Sequence, residues 1–317
     1  MALLLLLLLV QLPLQLLGEN TSKAAASYEI IGLFPYPGRS HYIVFDALMT
    51  ELAARGHRVT VYTTFPKTNH PPNYEQVDLS ACFPLPDILT VDRMAHLGSN
   101  KWHFVGDTLF RFMPTVEQLA TCTPLLRLWN ATSAEGDDES DKAGHRYDLM
   151  VTETFNCDLW LLFADKLRLP VIAFHSSVAH PWMRDAVAAP DHAAYMPHPY
   201  FESVAPLAFT QRLENLVFGV YARFIYRLKS QRFWDVALPP ILGPSLPSIG
   251  RLLDRVDMLF LYEHSAVNGA SPTVPAVAYV AGLNVKPAAP VPQVCSPHLP
   301  FSAPRCAFYL RPRTARF

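Results

Sequence analysis

The chain has 317 residues and a hydrophobic content of 50%, which is enough for one large or two modest domains with an apolar core. Its formal net charge is −1 and it has no basic stripe, so the composition gives no support to nucleic-acid binding, which requires clustered Lys and Arg. The five cysteines lack C-x-x-C spacing, so neither a zinc site nor a dithiol redox motif is predicted, although one disulfide of unassigned pairing is compatible with the sequence.

The first 18 residues form an almost pure leucine run, which is typical of the apolar region of a secretory signal peptide cleaved near Gly18. A retained anchor is the alternative, although the run is short for a bilayer span. The signal peptide predicts a location in the endoplasmic reticulum lumen or outside the cell. In that setting Asn20 and Asn130 are candidate N-glycosylation sites, because each begins an Asn-x-Ser/Thr motif.

A strand, a loop, a helix and a second strand are predicted early in the chain. Residues 28–34 are short and apolar, and a loop rich in proline and glycine then ends the strand. Helical spacing follows, with Ser40 as the expected N-cap and Gly56 at the expected end, and residues 57–64 form the next strand. Ligands of such parallel units gather at the carboxyl ends of the strands, where His41 would lie. An exposed histidine that merely opens a helix is the alternative.

A second unit of the same kind is predicted further along the chain. Residues 147–152 form its first strand, residues 159–167 its helix and residues 170–175 its second strand. The connecting loop, residues 153–158, contains Glu153 and Asp158. If both units belong to one parallel sheet, this loop lies at the same edge as His41.

The histidines between His175 and His198 fit no standard set of metal ligands, so no metal site is predicted there. Residues 211–234 are amphipathic, and a stripe of this kind usually packs on a sheet. The alternative is contact with a membrane surface or a lipidic ligand, because the opposite side is basic and several residues are aromatic. The apolar stripe consists of Leu213, Leu216, Val217, Val220, Phe224 and Leu228.

The last regular element in the sequence is a buried strand over residues 256–263. From residue 271 onward prolines are so frequent that we expect residues 271–293 to be a linker and residues 294–317 to be a disordered tail without its own core. The folded domain is accordingly predicted to cover residues 24–270.

Several common enzyme motifs are missing from the sequence. No glycine-rich dinucleotide fingerprint or Walker lysine motif follows the first strand, and no G-x-S-x-G nucleophile elbow is found, since Ser176 and Ser177 are a poor substitute. What remains is a histidine on one loop and acids on another. This arrangement suits a general base whose tautomer is held by a carboxylate.

Four separated blocks resemble, in order, the amino-terminal half of an insect-type UDP-glycosyltransferase of the UDP-glucuronosyltransferase-like family. The resemblance covers about residues 28–292. It implies a Rossmann-like α/β domain with a parallel sheet and flanking helices, which binds the acceptor and faces a second domain that binds the UDP-sugar, in the GT-B arrangement. The blocks are residues 35–41 with Phe45, residues 53–60, residues 152–158 and residues 268–287.

The resemblance also implies a reaction and its residues. The family transfers a sugar with inversion and without a metal, and UDP-sugar is its co-substrate and not a bound cofactor. His41 takes the role of the base that deprotonates a small lipophilic acceptor. Asp158 is favoured as the acidic partner, and Glu153 is retained because it lies nearer the strand end. The implied acceptor contacts are Pro37, Gly38, Ser40 and Phe155.

The similarity stops after about residue 293, and the second domain of the family is expected to be missing from this chain. Residues 271–293 would then be the interdomain linker. On this basis the chain alone is expected to bind acceptors at best and not to transfer sugar. The alternative is a non-catalytic lumenal module that binds small molecules or pairs with full-length relatives.

Overall fold

Seven parallel strands form one sheet in the computed structural model, which describes residues 26–84, 100–106, 108–131, 147–201 and 206–286. Their spatial order is β3-β2-β1-β4-β5-β6-β7. The sheet therefore grows in one direction from β1 to β3 and in the other from β4 to β7. The strands are β1 Glu29–Phe34, β2 Arg58–Thr63, β3 Tyr74–Asp78, β4 Leu149–Glu153, β5 Val171–His175, β6 Met258–Leu261 and β7 Val277–Tyr279.

Helices cover both faces of the sheet, which confirms the predicted α/β class. A π-helical segment, Arg227–Arg232, and short 3₁₀ segments at Thr108–Phe112 and Leu253–Arg255 accompany them. None of the helices in the described ranges has the length and apolar character needed to cross a bilayer. The helices are α1 Arg39–Ala54, α2 Lys101–Gly106, α3 Val116–Thr121, α4 Thr123–Ala131, α5 Leu161–Leu167, α6 Pro181–Ala186, α7 Phe209–Tyr226, α8 Phe233–Ala237, α9 Pro239–Leu242, α10 Ile249–Leu252 and α11 Ser265–Asn268.

The central strands are buried on both faces, as their continuous apolar runs predict. Alternate residues of β1 point to opposite sides, so Ile30 and Phe34 pack with Phe45 of α1, whereas Ile31 and Leu33 belong to the core on the other face. β1 and β4 are held in register by their ladder and by the Thr152 hydroxyl, which donates to the Leu33 carbonyl at 2.8 Å. The predicted strands in both units are confirmed, with ends that shift by one or two residues.

Two elements of the sheet were not predicted. β3 is an edge strand whose sequence, YEQVD, lacks the apolar run that marks a buried strand. β7 pairs with β6 at the other edge and lies beyond the boundary predicted at residue 270. Because Val277–Tyr279 are part of the sheet, the segment assigned as a linker from residue 271 contributes to the domain, and that boundary is corrected. Residues 287–317, and with them the predicted tail, lie outside the described residues, as does the predicted signal peptide.

The start of α1 also differs from the prediction. Its N-cap is Gly38 and not Ser40, because the helix already begins at Arg39, and no side chain caps it. The helix ends close to Gly56, as predicted, since Arg55 is the C-cap and Gly56 takes a φ of +96°, which favours glycine.

The largest correction concerns α7. The helix does not pack on the sheet with its apolar stripe; it packs on α2 and α6 with a different face, made of Asn215, Phe218, Gly219, Ala222 and Tyr226. The amphipathic stretch over residues 211–234 also changes from α-helix to the π-helical segment at Arg227. Small and aromatic residues repeat at helical spacing on the buried face, and they allow close approach of the neighbouring helices.

A disulfide joins Cys82 and Cys122, whose Cα atoms are 5.2 Å apart. It ties the segment after β3 to the end of α3. Cys157 is free and buried, and burial raises the pKa of its thiol far above the usual range.

Candidate active site

His41 lies in the first turn of α1, at the carboxyl end of β1. The strand order reverses direction between β1 and β4, and a crevice forms at such a switch point outside the carboxyl ends of the strands. The loop before α1 packs tightly, since a Cβ on Gly38 would lie 2.5 Å from the Tyr36 ring. Glycine therefore lets the chain turn closely beneath Tyr36 and places the imidazole at the crevice.

Three neighbouring strands bring polar side chains together at this point. Nδ1 of His41 lies 2.5 Å from Oε1 of Glu153, the last residue of β4. Ser176, directly after β5, places its hydroxyl 2.5 Å from the same nitrogen and donates to the same carboxylate oxygen at 2.6 Å. Glu153 is 3% exposed and His41 is 17% exposed. The prediction that the two loops meet at one edge is confirmed.

The protonation pattern of this cluster follows from its chemistry. An ionised carboxylate accepts hydrogen bonds and donates none, so Nδ1 of His41 must carry the proton that faces Glu153. In the neutral imidazole Nε2 is then the basic nitrogen. The adjacent carboxylate also stabilises the imidazolium that forms when Nε2 takes up a proton.

Aromatic rings shield the pair from water. The Tyr36 ring centroid lies 4.4 Å from that of His41, and Phe155 meets the imidazole edge-on at 4.7 Å. Burial, followed by the charge of Glu153, raises the pKa of the Tyr36 phenol far above its usual range, so the phenol stays neutral. The shield lowers the local dielectric and strengthens the contact between His41 and Glu153.

Asp158 does not belong to this cluster. It is completely buried, and its two oxygens accept hydrogen bonds from the Tyr226 hydroxyl at 2.7 Å and the Gln231 amide at 3.1 Å. Burial raises its pKa to about 6, although both hydrogen bonds oppose the shift. The preference for Asp158 over Glu153 as the partner of His41 is therefore wrong for the contact itself, because Asp158 is engaged by α7 and the π-helical segment.

A cavity of about 230 Å³ opens beside the loop that leads to His41. Its wall combines aromatic and proline side chains with four polar ones. The former include Tyr36, Pro37, Phe83 and Trp160, and the latter are Arg111, Thr115, Gln118 and Asn156. A cavity of this composition suits a small molecule with an apolar body and a few polar groups.

The remaining predicted site residues are spread around this geometry. Pro37 lines the cavity and Phe155 touches His41, whereas Ser40 is exposed on the second residue of α1. Asn130 is exposed near the end of α4, and Asn20 lies outside the described residues. Their roles in binding or glycosylation stay predictions. Ser176 was missed as a partner of His41, although its position directly after a predicted strand was a usable signal.

A second polar cluster lies behind Phe155. His175 and His180 are hydrogen-bonded at 2.5 Å, and His180 contacts the Tyr200 hydroxyl at 2.7 Å. Burial lowers the pKa of His175 and of nearby His198 to about 3 and lowers that of His180 well below 6.5. These imidazoles are therefore neutral at neutral pH. Across the described ranges no group of three His, Cys, Asp or Glu side chains could hold a metal ion.

Comparison with known proteins places this chain in a family. Residues 34–302 match the family described as UDP-glucoronosyl and UDP-glucosyl transferase. The UDP-glycosyltransferase UGT5 of Dactylopius coccus is 30% identical over 275 residues, which cover 85% of this chain and 50% of that protein. An ecdysteroid UDP-glucosyltransferase of Lymantria dispar multicapsid nuclear polyhedrosis virus is 28% identical, over 83% of this chain and 51% of that protein.

Solved structures show weaker similarity. Medicago truncatula UGT71G1 complexed with UDP-glucose is 12% identical with a TM-score of 0.40, over 81% of this chain and 52% of that chain. The chain spans about half the length of the curated relatives it matches. Because the matched region covers most of its residues, the chain belongs to the UDP-glucoronosyl and UDP-glucosyl transferase family, as the sequence resemblance predicted.

Proposed function

We propose that this chain is the acceptor-binding half of an enzyme that transfers a hexose or glucuronosyl group from a UDP-sugar to a hydroxyl of a small lipophilic acceptor. The observation that carries this proposal is the contact of Nδ1 of His41 with Oε1 of Glu153 at 2.5 Å. Family membership supports the reaction class. The aromatic and proline side chains of the cavity beside Pro37 support a lipophilic acceptor, as does the name of the viral relative, an ecdysteroid UDP-glucosyltransferase.

The proposed step is a single displacement. Nε2 of His41 takes the proton of the acceptor hydroxyl while the oxygen bonds to the anomeric carbon of the sugar. The bond from that carbon to the diphosphate breaks, and UDP leaves with the electron pair, so the anomeric configuration inverts. Glu153 keeps the imidazole in the required tautomer and stabilises its positive charge, and Ser176 fixes the carboxylate by donating to Oε1.

The UDP-sugar is a co-substrate in this proposal, and the family resemblance assigns its site to the half of the relatives that this chain does not cover. We therefore propose acceptor binding by the chain itself and transfer once a donor half faces His41. Pairing with a full-length relative would supply such a half. A location in the endoplasmic reticulum lumen or outside the cell is part of the same proposal and rests on the leucine-rich start of the sequence.

The test is a chimera of this chain with the carboxyl-terminal half of UGT5 of Dactylopius coccus. Transfer from UDP-glucose to an ecdysteroid would be followed by chromatography. We expect His41→Ala to lower the rate by about 10² to 10⁴, the usual contribution of a general base, with His70→Ala as the control because that histidine is exposed. We expect Glu153→Gln to lower it as well. Full turnover by His41→Ala would refute the role of the base.

Acceptor binding is measured separately, on the 317-residue chain without the added half of the chimera. Quenching of tryptophan fluorescence is a suitable signal, since Trp160 lines the cavity. We expect His41→Ala to bind the ecdysteroid as the unmodified chain does, because the substitution removes the base and leaves the apolar wall. If the chain is instead a non-catalytic binding module, it should bind the ecdysteroid in the same way, and no chimera should transfer sugar. Stabilisation of the isolated chain by UDP-glucose in a thermal-shift assay would contradict the non-catalytic module.

A further inference from the structure

The apolar stripe of α7 faces solvent along its whole length. Phe209 is 78% exposed, Val220 61% and Phe224 60%. Residues three or four apart lie on one face of a helix, so these side chains form a continuous strip. Contiguous exposed apolar surfaces mark sites of interaction with proteins or membranes. The other members of the strip are Leu213, Leu216, Val217 and Leu228, between 42% and 53% exposed.

The packing of the opposite face keeps the strip exposed. Phe218 and Tyr226 are fully buried, and Tyr226 stacks on Trp182 with ring centroids 4.4 Å apart. Asn215 donates to two backbone carbonyls, those of Ala193 and Met196. Rotation of the helix to bury the strip would break these hydrogen bonds and expose the aromatic rings. The strip is therefore available to a partner without any change in the domain.

Free positive charge lies at the carboxyl-terminal end of the strip. The segment from residue 209 to residue 236 contains five basic and two acidic residues, although the whole chain carries a net charge of −1. Both acids are engaged, since Glu214 pairs with Lys101 at 2.6 Å and Asp235 accepts hydrogen bonds from Ser248 and the Ile249 amide. Among the bases, Arg223 is neutralised by ion pairs with Asp185 at 2.7 Å and Asp191 at 2.6 Å. Arg227 and Arg232 are exposed at the end of the strip, and no ion pair joins either of them to another described residue.

We propose that α7 lies in the interface of a lipid bilayer that contains anionic headgroups. The strip enters the boundary of the acyl chains, and Arg227 and Arg232 contact lipid phosphates. Helices of this kind lie in the plane of the interface, with the apolar face buried by about 5–10 Å. The exposed apolar side chains of α7 match the acyl chains of such a membrane, and the exposed Arg227 and Arg232 of the π-helical segment that continues α7 match its anionic headgroups. Nothing in this proposal depends on sugar transfer.

The experiment is flotation of the purified chain with vesicles of phosphatidylcholine alone and of an equal mixture of phosphatidylcholine and phosphatidylserine. We expect binding to the mixed vesicles. In the double variant Val220→Asp/Phe224→Asp, the fraction of protein bound to the mixed vesicles should fall at least about tenfold, because charged side chains oppose insertion into the acyl chains. The matched control is Val116→Asp, which changes an exposed apolar residue of α3 and should leave binding unchanged.

Arg227→Glu/Arg232→Glu tests the electrostatic part. We expect it to reduce binding to the mixed vesicles and to have little effect on phosphatidylcholine alone. Thermal unfolding shows whether each variant is folded. Because the substituted residues are exposed, the unfolding temperature of each variant should match that of the unmodified chain. The proposal is overturned if the unmodified chain floats with neither vesicle or if the strip variant binds as strongly. It is also overturned if sedimentation shows a dimer that the strip variant abolishes without any vesicle binding, because the occupant is then a second copy. Equal binding to both vesicle types overturns the role of anionic headgroups.

Discussion

Acidification from pH 7 to pH 5 should destabilise this domain, because it buries neutral histidines. Burial lowers the pKa of His175 and His198 from the ordinary value of 6.5 to about 3. Between these values the unfolded chain takes up protons that the folded chain does not, so stability is present above pH 6.5 and is lost as the pH falls towards 3. Each of these two histidines therefore lowers the unfolding free energy by about 2 kcal/mol when the pH falls from 7 to 5.

Asp158 acts in the opposite direction. Its pKa is raised from 3.8 to about 6, so the folded chain binds a proton before the unfolded chain does, which adds about 1 kcal/mol of stability over the same interval. The two histidines outweigh this gain, and the net loss is about 3 kcal/mol. His180, whose pKa is also lowered by burial, increases the loss. A loss of this size is a large part of the stability of an ordinary domain.

The assay is urea denaturation at pH 7 and at pH 5 with constant ionic strength, followed by tryptophan fluorescence. His198→Gln should reduce the difference between the two free energies by about 2 kcal/mol, since glutamine does not titrate. The control is His103→Gln, an exposed histidine of α2, which should leave the difference unchanged. Equal or greater stability at pH 5 would refute the reasoning.

The other predictions concern single side chains of the site and the cross-link. Asp158→Asn removes the opposing proton uptake, so the loss between pH 7 and pH 5 should grow by about 1 kcal/mol in the same urea experiment. Ser176→Ala should slow transfer by the chimera about tenfold, because a hydrogen bond to a charged group is lost, and Ser176→Thr should restore the rate; an unchanged rate with alanine would contradict this role. Cys82→Ser should lower the unfolding free energy by up to about 4 kcal/mol, as expected for a cross-link between residues 40 apart. Reductant should destabilise the unmodified chain and leave that variant unaffected; a reductant effect on both would argue against the disulfide.

The strands of the central sheet and the position of His41 could be predicted because they depend on local patterns. Apolar runs that end in proline and glycine mark the strand ends, and parallel units place those ends at one edge. The choice between Glu153 and Asp158 could not be made in this way. It depends on Tyr226, which is 68 residues away from Asp158 and engages it. The sequence positions of Glu153 and Asp158 do not indicate which of them makes such a long-range contact.

The orientation of α7 shows a second limit. A stripe of large apolar residues predicts a buried face when it is the only regular feature of a helix. Here Phe218, Ala222 and Tyr226 repeat at the same spacing on another face and make the contacts with the domain. The edge strand β3 was missed for a related reason, since an edge position requires fewer apolar residues than a central one.

The arrangement of the strands also determines when the site can form during synthesis. β1 pairs with β4 across a separation of 119 residues, and Ser176 lies 135 residues beyond His41. At about 5–20 residues per second, the ribosome needs on the order of 10 s after the synthesis of β1 to synthesise β4, which pairs with the other edge of β1. During that interval Ile31 and Leu33 can pair with β2 and lack only β4, so the nascent chain presents one apolar edge of β1 to chaperones. A pulse of translation arrest before residue 149 should therefore trap a chain in which His41 has no acid beside it.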